Sequence, residues 1–374
     1  MCYDSPRVRI LMDYRSALRQ RTGAGEYVHR LAGALQARLS GSDSLTLFSS
    51  SWKDRLEADV VPGARHIDRR VPVSILNLAW HRLEWPPVDW FAGEIDIAQS
   101  MHPLLLPARR AAQFVTIHDL YFLDRPDQAS AEIRRDYPAL AADHARRADG
   151  VIVPSEYTKG LIEQRLGVPP ERVIVCSPGA PGWPAREEPG SPGPILFVGT
   201  IEPRKNVGGL LRAYAALVRD NPDVPVLTLA GRAASVIGTD AIVDGVSLEG
   251  RVQRLGYVDD ERRLALYRAA SMLVLPSFDE GFGLPVLEAM TLGVPVVAAR
   301  RGSLPEVLGG AGILVEPDDL DGMAAAMRTV LTDPAERRRM TTTGLLRARR
   351  YSWDVAARCL YDAYAAALAR RKVA

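Results

Sequence analysis

At 374 residues the chain is longer than a single hydrophobic core usually grows, so two domains are expected. It is 47% apolar and 25% charged, as globular enzymes are, and its net charge of +2, from 47 basic and 45 acidic residues, argues against nucleic acid as a bulk partner. Three scattered cysteines (Cys2, Cys176, Cys359) support neither a disulfide framework nor a zinc site, and such usage fits the cytoplasm.

The first residues, M-C-Y-D-S-P-R-V-R-I-L-M-D-Y, do not read as a signal peptide, because the apolar run Ile10 to Met12 is fenced by Arg7, Arg9 and Asp13. No apolar segment approaches the roughly 20 residues that span a bilayer, so any membrane role is peripheral. The stretch 8–13 reads as a strand and 25–39 as an amphipathic helix; further short apolar runs at 45–49, 95–99, 113–118 and 150–155 read as buried parallel strands between helical crossovers. The segment 177–194 then places six prolines and four glycines in eighteen residues, which no helix or central strand tolerates. After it the alternation restarts, with strands expected at 195–199, 226–231, 252–256, 271–276, 294–299 and 311–315, helices between them such as 259–270, and a last amphipathic helix over 353–369. Two successive β/α runs imply an α/β fold of two facing doubly wound, Rossmann-like domains, with the ligand in the cleft at the carboxyl ends of the strands.

The string F-D-E-G-F-G-L-P-V-L-E-A (278–289) sets Glu280 and Glu288 eight positions apart around Gly281, Gly283 and Pro285. A strand ends at Pro276, a loop follows, and Pro285 suits the first turn of a helix that Gly293 stops. A glycine-flanked helix start binds phosphate. Carboxylates on either side would be repelled by that phosphate but would accept hydrogen bonds from hydroxyls flanking it, and hydroxyls on both sides of a diphosphate describe a nucleotide sugar. Asp259-Asp260 and Asp318-Asp319 read as helix caps rather than metal ligands.

E-G-F-G-L-P-V-L-E-A-M resembles the E-x7-E segment of the retaining family 4 glycosyltransferases of GT-B fold. G-T-I-E-P-R-K-N (199–206), V-T-I-H-D-L (115–120), V-P-S-E-Y-T-K (153–159), L-A-G-R (229–232), L-G-Y-V (255–258) and the Ser-Trp start of the last helix are similar to that family too, in order along nearly the whole chain. The resemblance implies an acceptor-binding domain over 1–176, a linker over 177–194, a donor domain over 195–350 and a final helix, 351–374, packing back toward the first domain. It implies that Glu280 binds hydroxyls of the transferred sugar, that Glu288 binds the ribose, and that the Gly283 and Leu284 N–H groups meet the diphosphate, with Phe282 beside them. Arg204 and Lys205 would hold the phosphates and stabilise the departing nucleoside diphosphate, His118 would contact the donor sugar, and Gly199, Thr200, Gly231, Tyr257 and Val258 would line the donor site. Many members carry arginine where this chain has Thr200, which puts one phosphate contact in doubt. Asp119 either orients His118 or caps the next segment. Gly23-Ala24-Gly25 resembles the family's first glycine loop, although Val28 breaks a dinucleotide fingerprint.

The mechanism so implied is front-face displacement with retention, needing no metal and no cofactor beyond the nucleotide-sugar co-substrate. The acceptor region is less legible. Trp80, Trp85 and Trp90 are evenly spaced near Arg82, and 101–110 ends in two arginines; packing under the sheet, a sugar platform and a peripheral contact with anionic lipid at the inner face of a membrane are all open readings. The resemblance to mannosyltransferase-like members makes GDP-mannose the first donor and a glycan, lipid-linked or small-molecule acceptor the expected partner. A UDP- or TDP-sugar transferase and a sugar-nucleotide epimerase are the alternatives.

Overall fold

A computed structural model describes residues 7–18, 21, 23–57, 59–128, 131–187, 192–233 and 242–373; Cys2 and part of the proline-rich segment lie outside them. The chain forms two compact units, one of residues 1–179 together with 352–374, the other of residues 180–351.

The first unit is built on a seven-stranded, wholly parallel sheet of order β3-β2-β1-β4-β5-β6-β7. Its strands are β1 (Arg9–Asp13), β2 (Ser44–Ser50), β3 (Arg65–Arg69), β4 (Ile97–Gln99), β5 (Ala112–Thr116), β6 (Gly150–Val153) and β7 (Val173–Val175). The five expected strands are present. The two edge strands were not legible: β3 is R-H-I-D-R, half exposed, and carries no apolar alternation, while β7 is only three residues long. Helices α1 (Gly23–Arg38), α2 (Val73–Leu83), α3 (Asp89–Ala92), α4 (Tyr121–Asp124), α5 (Ala131–Arg147) and α6 (Glu156–Leu166) make the crossovers. Ser155 caps α6 by accepting the Thr158 N–H at 3.1 Å.

Helix α1 buries Tyr27, Val28, Leu31 and Leu35, one helical face, and each such side chain contributes on the order of 1.5–3 kcal/mol. The second unit carries β8 (Ile195–Val198), β9 (Leu227–Ala230), a small antiparallel hairpin β10 (Ile242–Val243) and β11 (Val246–Ser247), then β12 (Val252–Gly256), β13 (Met272–Leu275), β14 (Val296–Ala299) and β15 (Ile313–Val315). Apart from the hairpin, which the sequence did not suggest, these form a six-stranded parallel sheet of order β12-β9-β8-β13-β14-β15. Helices α7 (Val207–Asp220), α8 (Asp260–Ala269), α9 (Leu284–Leu292), α10 (Leu304–Leu308), α11 (Leu320–Thr332) and α12 (Pro334–Ala348) flank it. Asp259 and Asp319 do cap, accepting the N–H groups of Arg262 and Gly322 at 2.8 Å each.

The last helix, α13 (Trp353–Val373), belongs to the first unit. Ala356, Ala357, Leu360, Tyr364 and Ala367 recur at helical spacing and vanish into the core that also holds Tyr27, Leu31 and Phe114. The Tyr364 ring stands edge-on to Phe114 at 4.9 Å, and its hydroxyl donates to Gln99 Oε1 at 2.9 Å. Cys359 Sγ donates to the Val175 carbonyl at 3.3 Å, so two cysteines distant in sequence share one neighbourhood, both as free thiols. Among the described residues no helix is long and apolar enough to cross a membrane.

Candidate functional site

In the second unit, β8, β9 and β13 end together, and two glycines explain how their tails come so close. The Gly231 backbone lies against Gly199: a Cβ on Gly231 would sit 1.8 Å from the Gly199 carbonyl oxygen, and both residues have φ near +150°. Gly199 N–H donates to Ala230 O, Gly231 N–H to Gly256 O, and Ile201 N–H to Arg232 O. Thr200 is half-buried on this ledge. Tyr257 follows with the Arg232 guanidinium 5.6 Å from its ring, and Val258 packs on the core.

Past the ledge, Pro203–Lys205 forms one tight turn, and Asn206, in the left-handed conformation, caps α7 through Gly209 N–H. The loop after β13 docks on this turn, Phe278 N–H donating to Arg204 O at 2.8 Å. That docking brings three of the expected residues together. Lys205 Nζ meets Glu280 Oε1 at 2.5 Å, Arg204 Nη1 lies 3.5 Å from Glu280 Oε2 and donates to Asp279 O at 3.0 Å, and Arg204 also pairs with Glu202 at 2.9 Å. Ser277 Oγ donates to Glu280 Oε1 at 2.7 Å. Glu280 and Lys205 are both buried. Burial alone would raise the Glu280 pKa; the charges of Lys205 and Arg204, with hydrogen bonds from Lys205 and Ser277, outweigh it and hold the carboxyl below the ordinary range. The sequence reading separated the acid from the two cations, whereas the structure makes them one cluster.

Helix α9 starts beside that cluster. Gly283, with φ of +93°, is its N-cap and Leu284 its first residue. Pro285 falls in the first turn, so a position whose N–H has no intrahelical partner carries none. Phe282 is turned into the core with its ring edge-on to Tyr351 at 5.4 Å. Behind the loop, Ser303 donates from both its N–H and Oγ to the Glu280 carbonyl at 2.9 Å, and a Cβ on Gly302 would lie 2.5 Å from that same oxygen. This clamp, and Ser277, were missed by sequence reasoning; R-G-S reads as an ordinary turn.

Glu288 lies apart from the Glu280 cluster in its bonding. It accepts from the Tyr267 hydroxyl at 2.9 Å and pairs with Arg263 at 3.4 Å, while Arg263 stands 5.7 Å from the Trp183 ring. Burial, then the Glu288 charge, push the Tyr267 phenol well up, so it stays a donor. Arg263, Tyr267 and Trp183 carried no motif.

The remaining expected residues belong to the first unit. Gly23 and Gly25 form the first turn of α1, a correction to their reading as a loop: Gly25 backs onto the Ser16 carbonyl and α1 begins two residues earlier than its apolar pattern suggests. His118 follows β5 and stands edge-on to Tyr27 at 5.1 Å; Tyr27 in turn leans on Trp353 at 5.8 Å. The His118 Nε2 is buried and has no hydrogen-bond partner among the described residues. Burial lowers the His118 pKa against the opposing charge of Asp119, so the imidazole is neutral at neutral pH. Asp119 accepts the Tyr121 N–H at 3.2 Å, at the entry to α4.

The chain matches two family descriptions, Glycosyltransferase Family 4 over residues 21–181 and Glycosyl transferases group 1 over residues 184–346. It is 35% identical over 262 residues to the O-antigen chain mannosyltransferase B of Escherichia coli, an alignment covering 67% of this chain and 69% of that protein. Among solved structures it is similar to the sucrose-phosphate synthase of Thermosynechococcus elongatus, with TM-score 0.79, 22% identity, and coverage of 97% and 100%. It is similar also to HepE of Anabaena in complex with UDP and glucose, with TM-score 0.71, 20% identity, and coverage of 96% and 100%. At such identities these structures speak for the fold, two parallel-sheet Rossmann-like domains of the GT-B kind.

Proposed function

Because the chain belongs to the family 4 glycosyltransferases, we propose that it moves a hexose from a nucleoside diphosphate sugar to a hydroxyl of a glycan, lipid-linked or small-molecule acceptor, in the cytoplasm and with retention at the anomeric carbon. GDP-mannose is the first donor to test, by the likeness to a mannosyltransferase. In the proposed step the bond between the anomeric carbon and the phosphate oxygen breaks, the acceptor oxygen bonds to the same face, and its proton passes to the departing diphosphate.

The observation that carries this reading is the buried Lys205–Glu280 pair, flanked by Arg204, beside the N-terminus of α9. An ammonium has three donors, so Lys205 can keep its bond to Glu280 and still donate to a phosphate oxygen. Arg204 and the α9 N-terminus add positive potential where charge collects on the leaving group. Glu280, kept ionised, accepts hydroxyls of the sugar; Glu288, oriented by Tyr267 and Arg263, accepts those of the ribose. His118, neutral, can accept or donate one hydrogen bond to the donor sugar. Gly199, Thr200 and Gly231 supply backbone at the ledge, with Tyr257 and Val258 beyond it.

A thermal-shift screen of nucleoside diphosphates tests the reading: one base raises the melting temperature more than the others, and the shift shrinks in Lys205→Ala. Equal silence from all of them would overturn it. Release of that diphosphate on adding acceptor, undiminished by EDTA, supports a metal-independent transferase; an epimerised sugar formed from donor alone would instead favour the epimerase.

A further inference from the structure

Five of the nine large hydrophobic side chains that are exposed among the described residues fall within residues 75–90: Ile75, Leu78, Leu83, Trp85 and Trp90, each at least half exposed. The packing duty of α2 is met without them. Its inner face buries Leu76, Asn77, Trp80 and His81, and the Trp80 indole N–H is satisfied by Pro86 O at 2.9 Å. Ile75, Leu78 and Arg82 follow at spacings of three and four, so they form one outward stripe. Just past the helix, Trp85 and Trp90 stand edge to face at 5.4 Å. Such a patch on a folded surface marks something it docks on.

Charge says what. Arg82 stands on the stripe, Arg109 lies 5.2 Å over the Trp90 ring, Arg69 lies 5.6 Å from the neighbouring Phe91 ring, and Arg70 and Arg110, next to these in the chain, are exposed. The acids close by are engaged: Glu84 with Arg147 at 2.6 Å, Asp89 with the Arg109 N–H at 3.0 Å, and Asp136 beneath, with His81, Arg135 and, at 3.7 Å, Arg82, whose guanidinium is still half exposed. We propose that this face, α2 with Trp85 and Trp90, docks on a bilayer surface rich in anionic phospholipid. Indoles prefer the depth where tails meet headgroups, aliphatic side chains insert below it, and arginines take the lipid phosphates. A second copy fits less well, since a two-fold contact would set the same arginines against each other. A sugar fits less well too, because three aliphatic side chains among the indoles offer its hydroxyls nothing.

The test is flotation of the full chain with vesicles of phosphatidylcholine alone or mixed with phosphatidylglycerol, together with its tryptophan emission. The wild type is expected to float with the anionic vesicles and shift its emission to the blue, and to stay behind with phosphatidylcholine alone. Trp85→Ser/Trp90→Ser is expected to lose vesicle affinity by at least about tenfold with its nucleoside diphosphate thermal shift unchanged. Leu78→Glu is expected to lose it likewise, and serves if the double variant melts early. No flotation of the wild type, equal flotation of well-folded variants, a dimer in sedimentation that the substitutions abolish without any vesicle binding, or an emission change with oligosaccharide and none with vesicles would each overturn the proposal.

Discussion

Each unit holds a buried carboxylate at the carboxyl end of its sheet, and the two are made differently. In the second unit, Glu280 draws Lys205 and Arg204 from the neighbouring strand end, beside a helix N-terminus. In the first, Asp13 at the end of β1 is gripped by Arg15 at 2.6 Å and by His102 at 3.3 Å. Arg15 also donates to Asn77 and lies 5.0 Å from the Trp80 ring. Burial would raise the Asp13 pKa, but Arg15 and His102 carry it well below the usual range. A cation sandwiched between a carboxylate, an amide and an indole is spent on holding α2 to the sheet. The Lys205 ammonium beside Glu280 has three donors, so in the proposed site it can hold its acid and a phosphate at once. Like chemistry thus serves as scaffold in one place and as a candidate site in the other.

That contrast can be broken. The largest effect expected is in Glu280→Ala, where turnover falls by about a thousandfold while the nucleoside diphosphate still shifts the melting temperature; wild-type turnover would remove Glu280 from the site. Asp13→Ala should act on folding instead. It removes the carboxylate that neutralises the buried Arg15, so urea titration should show a loss of about 3–5 kcal/mol, and a variant as stable as the wild type but inactive would reverse the two assignments. A third measurement probes the scaffold by pH. Burial, with Arg147 nearby, lowers the His144 pKa from 6.5 to about 4, and its Nδ1 must stay unprotonated to accept the Leu105 N–H at 2.9 Å. The unfolded chain therefore binds a proton that the folded one refuses, so stability is full above the unfolded pKa and declines as pH falls from 6.5 towards 4, by up to roughly 3 kcal/mol. His144→Gln should flatten that slope. The smallest effect is at the clamp: Ser303→Ala should cost about 1 kcal/mol and reduce turnover severalfold by loosening the Glu280 loop.

The same contrast explains what was legible. The Glu280 cluster comes from two unbroken strings, 199–206 and 278–289, so its chemistry could be read off neighbours in sequence. Even there, the pairing of acid with cations was invisible, because it depends on two loops meeting. Asp13 and Arg15 meet Asn77 of α2 and His102 of the loop after β4 only through the fold, and none carries a pattern. Burial of both faces made the central strands plain, whereas β3, polar and half exposed, gave no period to detect. Gly302 and Ser303 looked like any turn until their approach to the Glu280 backbone was seen.

The attachment of α13 to the first unit has a consequence for how the chain matures. Residues 352–373 leave the ribosome after all of the second unit, so that unit, contiguous in sequence, can complete its core while the first still lacks the helix that covers Tyr27 and Phe114. Until then the first sheet shows an oily flank to the cell, and a premature stop near residue 351 would injure the half of the molecule made earliest.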